Sequence, residues 1–152
     1  MFNGFTLFLD FDGVLVNRFS TVTSDNNKLA FDPVCVDNLK RIINEIKNKY
    51  GRLNIIVTSN WRYDLDDDAI IILLLKQSGL HKSISESDIT VLDRKLRKVQ
   101  GINQYIRENQ LTPERSVILD DEYLGEELAG YQIRTRSEDG IRGIDTLEGI
   151  VY

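Results

Sequence analysis

Two carboxylates one residue apart, Asp10 and Asp12, stand at the exit of a short apolar run, Thr-Leu-Phe-Leu (6–9), and are followed by Gly13. Such a run near the start of a chain reads as a buried strand. Continued strand alternation would aim both side chains the same way. Like charges that close repel, and each loses hydration when buried, so a cation between them would relieve both. Asp-Phe-Asp-Gly equally suits a polar turn, because Asp and Gly are common turn residues. The stretch alone does not choose between a metal site and a turn.

Other groups gather around it. A second apolar run, Asn54–Val57, ends in Thr58-Ser59-Asn60, with Trp61 and Arg62 directly after. A third, Ser116–Leu119, ends in Asp120-Asp121. The stretch Arg-Lys-Leu-Arg-Lys (94–98) offers four cations, Arg94, Lys95, Arg97 and Lys98. Lys98 has the best spacing to the apolar face of the helix that follows. In open parallel sheets, sites lie outside the carboxyl ends of the strands. That edge would bring together four carboxylates, the hydroxyls of Thr58 and Ser59, and an ammonium. Hard oxygen ligands favour Mg²⁺, which keeps one or two carboxylates plus waters and a phosphate oxygen. A hydroxyl and an ammonium suit the remaining phosphoryl oxygens. The set reads as phosphoryl transfer.

The elements that must position these groups alternate between strand and helix. Asp32-Pro33 opens a helix, since Asp caps well and Pro suits the first helical position. Val36, Leu39, Ile43, Ile46 and Tyr50 then recur at helical spacing before Gly51. A second helix is expected over Asp64–Ser78, with Asp66, Asp67 and Asp68 complementing the dipole of its first turn and an all-round apolar, buried centre at Ile70–Leu75. Ile89–Leu92 is a short strand, and Lys95–Asn109 a helix presenting Val99, Ile102, Tyr105 and Ile106 on one face. A helical piece over Glu122–Leu128 and a strand near Tyr131–Thr135 follow. Asn17–Leu29 reads as a loop, and the Gly-rich tail from Ser137 to Tyr152 has no pattern to assign. Alternation of this kind implies crossover connections and a mainly parallel sheet, an α/β fold.

The bulk properties bound the rest. At 152 residues the chain, 1–152, is expected to form a single domain with a sizeable core. A net charge of −5 argues against whole-surface nucleic-acid binding but leaves room for a local basic patch. Cys35, the one cysteine, has no internal disulfide partner, reads as a small buried hydrophobe and fits a reducing, cytoplasmic setting. The N-terminus lacks a basic region ahead of its apolar run, and no apolar run approaches the ~20 residues of a membrane span. His81 follows a helix end and reads as surface polar.

The order Asp-x-Asp-Gly-Val, apolar strand plus Thr-Ser, lysine, apolar strand plus Asp-Asp resembles the haloacid dehalogenase (HAD) superfamily over roughly residues 5–135. The matching pieces are 7–16, 55–62, Lys98 and 117–122. Ser-Asn-Trp-Arg (59–62) followed by Lys98-x-x-x-Ile102 is similar to the small HAD domains of bacterial RNA-repair proteins. The resemblance implies a Rossmann-like three-layer sandwich and a Mg²⁺-dependent phosphatase. It implies Asp10 as nucleophile, and Asp12 as general acid and base whose backbone carbonyl also binds Mg²⁺. It further implies Asp120 as a direct metal ligand with Asp121 beside it, Thr58 on a phosphoryl oxygen, and Lys98 neutralising charge. Ser59, Asn60 and Arg62 join Thr58 as substrate-binding candidates.

The gaps between motifs bear on substrate. There are 45 residues between Asp12 and Thr58 and 39 between Thr58 and Lys98, too few in either place for a folded cap domain. An open site suits a bulky substrate, a nucleic-acid end or a phosphoprotein. Arg134, Arg136 and Arg142, with the 94–98 run, could guide a polyanion, or simply be scattered surface charge. Trp61 could stack a base or pack at a helix start. Arg62 could reach phosphate or pair with Asp66–Asp68. Two other classes compete with the enzyme: a catalytically silent HAD-like binding domain, and a receiver-like phosphoacceptor. The receiver would need an Asp after the middle strand, where this chain has Thr58.

Overall fold

The computed structural model describes residues 3–22 and 28–146; part of the expected loop (23–27) and the end of the tail (147–152) lie outside the described residues. Five strands form one sheet in the order β3-β2-β1-β4-β5: β1 Phe5–Leu9, β2 Leu53–Val57, β3 Ile89–Val91, β4 Ser116–Asp120 and β5 Gln132–Arg134. Every pairing is parallel, with Leu7 opposite Ile55 and Val117, and Phe8 opposite Ile56 and Ile118. This is the α/β, Rossmann-like arrangement.

Strand alternation divides the core. Leu7, Leu9, Ile55, Val57, Val117 and Leu119 pack on one face with helix α1, Pro33–Tyr50. Phe8, Ile56 and Ile118 point the other way, onto Ile102 of helix α3, Lys98–Asn109, and Leu128 of the short helix α4, Glu126–Ala129. Helix α1 begins and ends where expected. Asp32 caps it by accepting from the Val34 amide, Pro33 is its first residue, and Gly51 closes it at φ 79°.

The segment after β2 departs from the expected single helix. A 3₁₀ turn spans Asn60–Tyr63, helix α2 covers only Asp67–Ile72, and Leu73–Gln77 winds as a π-helix. Its apolar centre is not buried all round: Ile70 and Leu74 are buried, but Ile72 is 43% exposed. The expected acidic first turn is present, with Asp66 as cap and Asp67 and Asp68 behind it. Helix α3 starts at Lys98, three residues later than expected, because the Asp93 carboxylate accepts from the Lys95 amide and holds that stretch in a turn. Val99, expected on the packed face, is 38% exposed. The helical piece near 122–128 shortens to α4. Cys35 is buried as expected. The tail is partly legible in three dimensions: Ile141 enters the core, its amide donating to the Val14 carbonyl. Among the described residues no helix is long and apolar enough to cross a membrane.

Candidate active site

At the carboxyl edge of the sheet, β1 and β4 lie side by side and deliver Asp10 and Asp120 together. Asp10 is 3% exposed and Asp120 fully buried. Lys98, the first residue of α3, reaches in from the far side of β2. Its Nζ lies 3.3 Å from Asp10 Oδ2 and 3.0 Å from Asp120 Oδ2. Of the four cations in the 94–98 run, Lys98 is the one paired with these carboxylates. Arg94 turns away, pairing with Asp67 at 2.6 Å and donating to the carbonyls of Arg62 and Leu65.

Asp10, Asp120 and Asp121 each offer an oxygen within 4.8 Å of the others. Three carboxylates against one ammonium leave excess negative charge in a poorly hydrated place. Burial raises the Asp10 carboxyl well above the ordinary carboxylate range, with Lys98 opposing the rise and Asp120 adding to it. Burial, and then the Asp120 charge, raise Asp121 as well. Burial works against the Lys98 ammonium, but Asp10 and Asp120 outweigh it and hold Lys98 protonated above its ordinary value. A divalent cation with hard oxygen ligands would relieve the excess, and the donor set fits Mg²⁺.

Gly13 shapes the same place. Its φ is 77°, and a Cβ there would lie 2.2 Å from Asp121 Cγ. Only glycine lets the loop after β1 pass this close to Asp121 while holding that backbone. Thr135 donates its hydroxyl to the Gly13 carbonyl and pins the loop from β5.

Asp12 departs from the simple reading of the pair. β1 ends at Leu9, so strand alternation does not carry through to residue 12. The Asp12 carboxylate is exposed and lies outside the three-carboxylate cluster; the acidic side chains that could hold the expected cation are those of Asp10, Asp120 and Asp121. Asp12 Oδ2 accepts from the Trp61 indole Nε1 at 3.0 Å. Trp61 itself is 4% exposed, packed edge-on against Phe11, as the helix-start packing role expects. The hydrogen bond was missed by sequence reasoning, although a signal existed: a buried indole N–H needs an acceptor.

The loop after β2 completes the edge. Thr58 is fully buried and its Oγ1 has no hydrogen-bond partner. Ser59 Oγ accepts from the Trp61 amide and so caps the 3₁₀ turn, while Asn60 is exposed. Arg62 is entirely buried. Its guanidinium donates to the carbonyls of Thr58 at 2.8 Å and Leu96 at 2.9 Å, tying this loop to the turn that leads into Lys98. Arg62 does not take up the acidic cluster at 66–68; Arg94 does. The arginines suggested as polyanion guides are engaged within the chain: Arg142 pairs with Asp32 at 2.6 Å, Arg136 with Glu138 at 3.5 Å, and Arg134 donates to the Asp121 carbonyl. His81 is exposed.

A parallel α/β sheet with an Asp-rich edge, a lysine between two of the carboxylates and an unpartnered threonine hydroxyl defines a HAD-type domain. Residues 6–145 match the family described as the HAD domain in Swiss Army Knife RNA repair proteins, and the chain belongs to that family. Comparison with curated proteins and with solved structures gives no match.

Proposed function

We propose that the protein is a Mg²⁺-dependent phosphatase that hydrolyses a phosphomonoester through an aspartyl-phosphate, with an open site suited to a nucleic-acid end. The observation that carries this reading is Lys98 Nζ held 3.3 Å from Asp10 and 3.0 Å from Asp120, in a cluster completed by Asp121. The Thr58 hydroxyl, buried without a partner, supports it, because an unpaired buried hydroxyl costs about 1–3 kcal/mol that a phosphoryl oxygen would recover. The RNA-repair family supports the nucleic-acid side of the substrate.

In this reading an Asp10 oxygen attacks phosphorus, forming the Asp10–phosphorus bond as the bond to the leaving oxygen breaks. Asp12 gives its proton to that oxygen, and an alcohol departs. A water then attacks phosphorus, Asp12 takes the water's proton, and the bond to Asp10 breaks to release inorganic phosphate. Thr58 Oγ1 and Lys98 hold phosphoryl oxygens and balance charge throughout. Asp10, Asp120, Asp121 and the Asp12 backbone carbonyl would hold Mg²⁺, which when bound supplies charge neutralisation so that an anionic carboxylate can approach an anionic phosphate.

The test is phosphate release from an aryl phosphate and from phosphorylated oligonucleotide ends, with Mg²⁺ and with chelator. Release that depends on Mg²⁺ and disappears in Asp10→Asn is expected. Turnover that survives Asp10→Asn overturns the nucleophile, and no release from any substrate leaves the silent binding domain as the better description.

A further inference from the structure

The chain after β5 turns back across the loop that follows β1. The Arg18 amide donates to the Glu138 carbonyl at 3.2 Å, the Asn17 side-chain amide to the Asp139 carbonyl at 3.0 Å, and the Ile141 amide to the Val14 carbonyl at 3.0 Å. Gly140 comes so close that a Cβ there would lie 2.3 Å from the Val14 carbonyl oxygen. Further on, the segment is fastened to α1. Asn38 Nδ2 donates to the carbonyls of Ile141 and Arg142, and Arg142 pairs with Asp32. Residues 135–142, part of them in the tail that has no sequence pattern to assign, thus form a strap over residues 13–18.

Thr135 heads this strap and is 5% exposed. Its amide donates to the Asp120 carbonyl at 3.0 Å, and its hydroxyl donates to the Gly13 carbonyl. One buried residue therefore holds both sides of the carboxylate cluster. On one side is the end of β4, with Asp120 and Asp121; on the other is the loop with Asp10, Asp12 and Gly13. A buried carbonyl that loses its donor finds no water in exchange, so the loop would have to move to satisfy Gly13.

We propose that Thr135 is a positioning residue for the metal site. By holding the Gly13 and Asp120 carbonyls at once, it sets the separation of the Asp10–Gly13 loop from the Asp120-Asp121 pair. It acts through these two residues and is not itself a ligand. The strap behind it keeps the loop from drifting away, which gives the tail a role in the site. The proposal rests on the Mg²⁺ site of the phosphatase reading, and the experiment separates the two.

Mg²⁺ affinity of the whole chain, read by calorimetric titration without substrate, is the measurement. Thr135→Val keeps the shape and the backbone amide and removes the hydroxyl. It is expected to weaken Mg²⁺ about 10–100-fold, whereas Thr135→Ser, which restores the donor, is expected to stay within about threefold of wild type. Ile46→Val, fully buried near the far end of α1, is the stability control: it lowers the melting temperature and leaves Mg²⁺ affinity unchanged. Reciprocity requires that Mg²⁺ in turn hold the strap. In the wild type, saturating Mg²⁺ is therefore expected to slow hydrogen exchange of the Thr135 and Ile141 amides, a readout that stands even if Thr135→Val does not fold. Wild-type Mg²⁺ affinity in Thr135→Val, equal losses in the valine and serine variants, or exchange at Thr135 and Ile141 indifferent to Mg²⁺ overturns the role of Thr135 alone. A wild-type protein that binds no Mg²⁺ overturns the metal site of the phosphatase reading and this role with it.

Discussion

The Trp61 indole N–H donates to the Asp12 carboxylate across 3.0 Å, and this bond joins the loop after β1 to the loop after β2. A hydrogen bond to a charged group contributes about 1.5–3 kcal/mol. Trp61→Phe keeps most of the ring packing and removes the donor. If Asp12 is the general acid, its aim matters most where the leaving oxygen most needs a proton. The variant is expected to lose about tenfold or more in kcat/KM on an alkyl phosphate, and clearly less on an aryl phosphate with a good leaving group. Equal losses on both substrates would reduce Trp61 to a packing residue.

Lys98 is expected to be needed for turnover yet to compete with the metal. Its ammonium pairs with Asp10 and Asp120, two of the carboxylates that would hold Mg²⁺. Lys98→Met removes a preorganised cation, and kcat/KM should fall by about 100-fold or more. The same change strips positive charge from a cluster of carboxylates, so Mg²⁺ should bind more tightly, as calorimetric titration would read. Weaker Mg²⁺ binding in Lys98→Met would show that the lysine organises the carboxylates rather than competing for them.

Gly13→Ala asks a different question of the same site. The added methyl meets Asp121 Cγ at 2.2 Å, on backbone with φ of 77°. The backbone strain costs about 1–2 kcal/mol in itself. The larger effect should be on the metal, because Asp121 must move aside. Mg²⁺ affinity is expected to drop about 10–100-fold, the usual penalty for disturbing the groups that orient ligands. Thermal unfolding with and without Mg²⁺ separates the two: the melting temperature falls in both conditions, and the Mg²⁺-induced increment shrinks.

These residues also show where sequence reading reaches and where it stops. β1, β2 and β4 were legible because each is a continuous apolar run, as a strand buried on both faces requires. Helix α1 was legible from its cap, its proline and its apolar stripe. Helical spacing favours Lys98 but leaves Arg94, Lys95 and Arg97 open; the structure brings Lys98 to Asp10 and Asp120. The expected helix over 64–78 breaks up in the structure because Ile70–Leu75 is apolar on every side, so no stripe marks which face turns inward or where the winding changes. Arg62 is expected from sequence to reach phosphate or pair with Asp66–Asp68; its burial instead depends on the carbonyls of Thr58 and Leu96, which come together only in the folded chain. Strand alternation does not predict the position of Asp12, because β1 ends before it at Leu9.

The cap of α1 makes the acid stability of the fold readable. Asp32 accepts from Arg142 at 2.6 Å, from Asn17 at 2.8 Å and from the Val34 amide at 3.4 Å. Burial pushes its carboxyl up, but the hydrogen bonds from Arg142, Asn17, Val34 and Cys35 together outweigh that and bring it from 3.8 down to about 2. A carboxyl with a lowered folded-state pKa stabilises the fold fully above its unfolded value near 3.8 and loses that contribution as pH falls through about 2. The difference of the two values corresponds to about 2 kcal/mol, for a side chain that is 2% exposed. Asp32→Asn keeps a capping oxygen and removes the charge. It should be less stable than wild type at pH 7 by about that amount, and the gap should close between pH ~4 and ~2 as the wild-type carboxyl takes up its proton. Urea unfolding at a series of pH values measures both curves. A gap that stays constant down to pH ~2 would mean that Arg142 and Asn17 hold the tail to α1 without depending on the Asp32 charge.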